Sequence, residues 1–150
     1  MSKLGRYAAD RKKIEEVSAA KTLVQADCGT IFMLASGSAD YTITLPTVAT
    51  AGKGWWCKFV LGFAPSSDTN NVTIAQSTDD TNNIVNVTVV HGPANRLAAH
   101  SASFLHTGDG ANFDLSFGAI GDTLELFTNA TKWYGQAICS SSLSIGQYDA

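Results

Sequence analysis

His91, His100 and His106, followed closely by Asp109, form the best cluster of groups in the chain that could hold a metal or move a proton. Their spacings of nine and six residues are not the i, i+4 spacing that places two imidazoles on one helical face. The simpler reading is three histidines at strand ends or in loops. Ser140-Ser141-Ser142 lacks the G-x-S-x-G frame that exposes a nucleophilic hydroxyl on a strained turn. Glu15, Glu16 and Glu125 are the only glutamates, so a carboxylate pair for glycoside hydrolysis needs convergence from opposite ends of the chain. Gly52-Lys53-Gly54 lacks the strand–loop–helix setting of a phosphate loop. Asp79-Asp80 lacks the alternating ligands of a calcium loop. Cys28, Cys57 and Cys139 are odd in number and contain no C-x-x-C, so they read as small buried hydrophobes rather than metal ligands or a redox pair. No cofactor or metal is implied, and a binding or building role is expected in place of catalysis.

The tryptophans carry the binding chemistry. Trp55, Trp56 and Trp133 could each stack on a ligand or fill a core. Trp55 and Trp56 are neighbours, and neighbours on a strand point to opposite faces, so at most one of them is core. The other, taken as Trp56, lies under a loop or faces a partner, because Trp is enriched at interfaces. A protein interface is the first expectation there and a carbohydrate the second.

The second binding element is electrostatic. Residues 1–24 hold Lys3, Arg6, Arg11, Lys12, Lys13 and Lys21 against Asp10, Glu15 and Glu16, a net +3, while residues 25–150 carry −6. Ala8 to Val17 is helix-forming sequence with few apolar residues, only Ile14 and Val17 making a small face. A helix so short is marginal alone. The segment is therefore expected to be a basic arm containing a short helix that orders against something else. The alternative is a helix packed on its own acidic body.

The elements that must position these groups read as strands. Tyr41, Ile43 and Leu45 alternate with threonines; Trp55, Cys57, Phe59, Leu61 and Phe63 share one face; Val85, Val87 and Val89 alternate with polar residues. Phe113 to Phe117, Leu124 to Leu126 and Trp133 to Ile138 continue the pattern, and residues 29–35 and 72–75 bring the expected strands to about eight. Gly-, Asn- and Asp-rich turns separate them. The segment from Pro93 to His106 reads instead as a short helix or crossing loop. The chain has 150 residues, 45% hydrophobic and only 15% charged. That length suits one domain with a real core. The expected class is all-β, an antiparallel β-sandwich or jelly-roll-like domain over residues 25–150 preceded by the arm. No repeat of 20–50 residues is visible, which argues against a solenoid or propeller. The net charge of −3 argues against a general nucleic-acid binder. No apolar leader or 18-residue apolar run marks secretion or a membrane span. The N-x-Thr sequons at Asn71, Asn86 and Asn129 then read as Thr-rich strand sequence in a chain made in a reducing cytosol.

Several phrases taken together resemble tailed-phage virion proteins. Residues 21–32 (KTLVQADCGTIF) are similar to an "ltaaDsGkvf" opening, Ile43-Thr44-Leu45-Pro46 to a "vtLP" phrase, and Trp55 to Gly62 to the strand that follows it. Gly121-Asp122-Thr123-Leu124-Glu125-Leu126 and Lys132-Trp133-Tyr134 resemble the closing phrases. These occur in head decoration proteins and in tail-fibre domains, and the basic start looks most like the head-associated proteins of marine podoviruses. The resemblance implies a structural protein on the capsid exterior, made in the host cytoplasm, that cements the major capsid protein and forms a trimer or dimer at a capsid symmetry axis. Arg6, Tyr7, Arg11, Lys12, Lys13 and Ile14 are then the expected capsid-binding residues, with Trp56 as a further interface candidate. A tail component and a carbohydrate-binding surface module are the alternatives.

Overall fold

The computed structural model describes residues 12–64, 71–80, 84–91, 102–106, 112–114, 119–139 and 146–148, the strands 84–91, 102–106, 112–114 and 146–148 by backbone alone. Its first six strands are β1 (Lys13–Val17), β2 (Lys21–Thr22), β3 (Thr30–Leu34), β4 (Tyr41–Thr44), β5 (Trp56–Leu61) and β6 (Val72–Ala75). They alternate between two sheets. β1, β3 and β5 lie side by side in one, and β2, β4 and β6 in the other, all parallel to their neighbours. The chain thus winds as a coil of three rungs. Lys13 sits beside Thr30 and Thr30 beside Cys57, so successive rungs are 17 and 27 residues long.

The remaining strands are β7 (Ile84–His91), β8 (Ala102–His106), β9 (Asn112–Asp114), β10 (Thr123–Thr128), β11 (Trp133–Cys139) and β12 (Gly146–Tyr148). β10 runs antiparallel between β5 and β11 and joins the coil to the later strands. The larger sheet has the order β1-β3-β5-β10-β11-β7-β8, and the smaller β12-β9-β6-β4-β2. The domain is all-β with two sheets, as its alternating residues lead one to expect. Its pairing is mixed, with β1–β3, β3–β5, β2–β4, β4–β6 and β7–β11 all parallel, which corrects the antiparallel expectation.

Two other expectations fail. Lys13 to Val17, read as part of a helix, is a strand in five-residue register with β3. Tertiary pairing and burial of Val17 outweigh a helix propensity worth tenths of a kcal/mol per residue. Ala102–His106, read as part of a helix or loop, is a strand paired with β7. The expected helix over residues 8–11 and the segment 93–101 lie outside the described residues. A short helix does occur elsewhere, α1 (Val48–Ala51), capped by the Thr47 hydroxyl, which accepts from the Thr50 amide at 3.1 Å.

The core lies between the sheets. Phe32 and Leu34 from β3, Cys57, Phe59 and Leu61 from β5, and Leu124 and Leu126 from β10 face Ile43, Val72 and Ile74 across the gap. The Phe32 and Phe59 rings stack at 5.6 Å. Each such side chain contributes about 1.5–3 kcal/mol when fully buried. Trp55 and Trp133 meet edge to face at 5.4 Å, and the Trp55 indole N–H donates to the Gln25 carbonyl at 3.1 Å. Tyr41 ties the coil together: its hydroxyl donates between the carbonyls of Ala35 (2.8 Å) and Val17 (3.1 Å). Burial pushes that phenol up to about 12.

Acidic residues close the loops. Carboxylates of Asp27, Asp40, Asp80 and Asp122 accept from the amides of Val24 (2.9 Å), Asn71 (2.8 Å), Val48 (3.0 Å) and Ala119 (3.0 Å). Part of the body's negative charge therefore serves backbone amides that would otherwise lack partners. On β1, Lys13 and Glu15 alternate to the same side as buried Val17, toward the gap between the sheets. Lys13 pairs with Asp27 at 3.7 Å, and Glu15 pairs with Lys21 of β2.

Candidate functional site

The outer face of the larger sheet carries the side chains that alternation turns away from the core. Register arranges them in rows across β5, β10 and β11. Trp56, Phe127 and Tyr134 form an aromatic row. Lys58, Glu125 and Gln136 form a polar row beside it, and Val60, Thr123 and Ile138 an aliphatic row beyond that. Strands about 4.8 Å apart set the spacing within each row. Phe127 and Tyr134 stack at 5.7 Å and 24°. β3 and β1 extend the face with Ile31, Met33 and Ile14. Ile14, Phe127 and Ile138 are 63%, 49% and 53% exposed.

An open groove of about 410 Å³ lies between the aromatic and polar rows. Trp56 and Phe127 line one side, Lys58 and Glu125 the other, and Lys12 joins them from beside β1. Ile31 backs it, and Gly54, at φ +87°, brings bare backbone to the rim. Trp56 is held from beneath by Gly29: the Gly29 amide donates to the Trp56 carbonyl at 2.8 Å, and a β-carbon there would touch the indole at 3.8 Å. Lys58 and Glu125 are register partners, yet no ion pair joins them or Lys12 to anything among the described residues. The groove therefore offers two ammonium groups, one carboxylate and an indole, with a net charge of +1.

Of the residues nominated from sequence, Lys12, Ile14 and Trp56 come to this one face. Lys13 does not; it turns to Asp27. Arg6, Tyr7 and Arg11 lie outside the described residues. Trp55 is core and Trp56 is not, as their opposed directions require. Phe127 and Glu125, which line the groove, and Tyr134 and Gln136, which continue its two rows, were not nominated from the sequence. The available signal was an aromatic residue at an outward position of β10, one step beyond the alternation of Leu124 and Leu126.

Among the described residues the catalytic candidates do not assemble. His106 pairs with Val87 and His91 with Ala102, so their backbones stand four strand positions apart, about 13 Å along the hairpin. His100, Asp109 and Ser140 to Ser142 lie outside the described residues. Glu125 stands three strands from Glu15 and Glu16, about 14 Å, wider than a glycosidase pair. Gly52-Lys53-Gly54 follows α1 rather than opening a helix. Among the described residues no group of three or more His, Cys, Asp or Glu could hold a metal.

Cysteine burial is split. Cys57 and Cys139 are buried, but Cys28 is exposed in the turn after the 3-10 helix, against the expectation for all three. Burial pushes the Cys57 thiol well up, with Cys28, Asp27 and Glu125 adding to it. Burial, then Asp122, raises Cys139 to about 12. A maleimide added to the folded protein is therefore expected to label Cys28 and spare the other two, and denaturant to release them. Mass spectrometry checks this; rapid native labelling of Cys57 would contradict the packing.

No known family, curated protein or solved structure matches the chain.

Proposed function

We propose that this chain is a non-catalytic structural virion protein, a capsid decoration or cement protein that binds the outside of a major capsid protein shell through its basic N-terminal arm. The observation that carries this reading is the position of β1. It is the edge strand of the larger sheet, with Lys12 and Ile14 exposed beside it. The sequence before it, with Arg6, Tyr7 and Arg11, is thereby attached at the rim of the body, where it can reach a neighbouring surface. Arg and Lys there suit acidic grooves between capsid subunits, and Arg supplies bidentate contacts to carboxylates. A docked body holds its arm at high effective concentration, and binding the expanded shell stabilises it by mass action. The phrases built on Asp27, Gly29, Asp122 and Trp133 support the same reading; in the fold Asp27 and Asp122 close turns and Trp133 fills the core. A trimer or dimer at a capsid axis belongs to this proposal, on the capsid exterior and without nucleic acid or membrane contact.

The test is truncation. Removal through residue 20 would take β1 with it, so the informative variant begins at Lys12. It is expected to keep the far-ultraviolet β signal and to lose co-sedimentation with capsid shells. Undiminished binding would refute the arm. Immunogold labelling of virions separates the alternatives: many copies over the head support decoration, while a few copies at one vertex would replace it with a tail role.

A further inference from the structure

We propose that the groove between Trp56 and the Lys58–Glu125 pair is a binding site for an acidic saccharide, one bearing uronate or sialate carboxyl groups. A pyranose has an apolar C–H face and a rim of hydroxyls in nearly the same plane. An aromatic row set one strand-residue pair away from a polar row matches both at once. Trp56 and Phe127 offer apolar ring surface. Beside them Lys58 can only donate and Glu125 can only accept, and Gln136, next in the same row past the groove lining, can do both, which covers the hydrogen-bonding capacity of sugar hydroxyls. Lys12 and Lys58 outnumber Glu125, and neither has an ion-pair partner among the described residues, so the site favours a ligand that brings a carboxylate. The groove volume of about 410 Å³ lies within the range of small-ligand sites.

The strand positions argue against an extended peptide as the occupant. β5 and β10 each have a hydrogen-bonded neighbour on both sides, and so does β11. Their backbone groups are committed to the ladder, leaving none for strand addition, which is where an extended peptide gains affinity. This favours a ligand recognised mainly by the side chains of the two rows.

The test begins with a glycan array of matched acidic and neutral oligosaccharides probed with the full chain, followed by calorimetry on the best binder. Acidic glycans are expected to bind at least tenfold more tightly than their neutral counterparts. Trp56→Ala is expected to weaken binding at least tenfold. Lys58→Ala is expected to abolish the preference for acidic over neutral sugars. Both variants should retain the wild-type circular dichroism spectrum and melting temperature within a few degrees. The chain beginning at Lys12 should bind the glycan as well as the full chain does, so this site and the arm succeed or fail separately. Absence of saturable binding to any acidic glycan would overturn the proposal. So would a preference for neutral sugars, a folded Trp56→Ala variant with undiminished binding, or capture of a peptide in this groove in place of the sugar.

Discussion

Replacing Trp133 with alanine is expected to lower the stability of the fold by about 4 kcal/mol, the middle of the range for truncating a buried aromatic residue. Trp133 is fully buried and packs edge to face on Trp55. Truncation would leave a large hole beside a second indole that is itself fixed by its bond to Gln25. Phenylalanine should cost far less, about 1 kcal/mol, for a specific reason. The Trp133 indole N–H has no hydrogen-bond partner among the described residues, so Phe loses volume while removing a donor that is costly to bury. Urea unfolding at equilibrium measures both. A cost below about 2 kcal/mol for alanine would show that the core collapses readily around this site.

The second large effect is at Gly135, where alanine is expected to cost about 3 kcal/mol. Gly135 faces inward from β11, opposite Leu126 of β10, at an irregularity in the pairing of β11 with β7. A β-carbon there would run into the Glu125 carbonyl oxygen and come within 2.7 Å of the Leu126 side chain. The obstacle is mainly backbone, so it cannot rotate away. Gly52→Ala is the useful control. Gly52 has φ +79° and ψ 168° with nothing within 4 Å of its would-be β-carbon, so the cost is conformational alone, about 1–2 kcal/mol. Thermal melts should rank Gly135→Ala below Gly52→Ala, and the reverse order would mean that the β10–β11 pair separates easily.

The local part of this fold was legible because burial is two-sided. Cys57, Phe59 and Leu61 alternate with Lys58 and Val60, and the structure turns the first set inward and the second outward. What alternation could not convey is which strand lies beside which. Parallel neighbours need no hairpin, so no turn signal marks them. The rungs differ in length by ten residues, 17 against 27, because the β3–β5 link contains β4 and α1, and no repeat survives in the sequence. β1 was misread for a related reason. Lys, Glu and Ile satisfy a helical reading locally, and only the presence of β3 alongside decides otherwise.

The candidate site was half legible. Trp56 could be assigned outward because two adjacent indoles cannot share a face and Trp55 shares its face with Cys57, Phe59 and Leu61. Its companions could not be named, because Phe127 and Tyr134 reach it only through the register of β5, β10 and β11. Lys12 reaches the same groove through the pairing of β1 with β3, which the helical reading of that segment hid.

The charges that β1 turns inward have a further effect on crowding. A bare rim of amides and carbonyls ordinarily invites another chain to lie against it, and repeated copies would then grow into fibrils. Here any newcomer would have to cover the Lys13–Asp27 and Glu15–Lys21 pairs and strip them of water. This one rim is thereby made a poor template for strand addition by another copy.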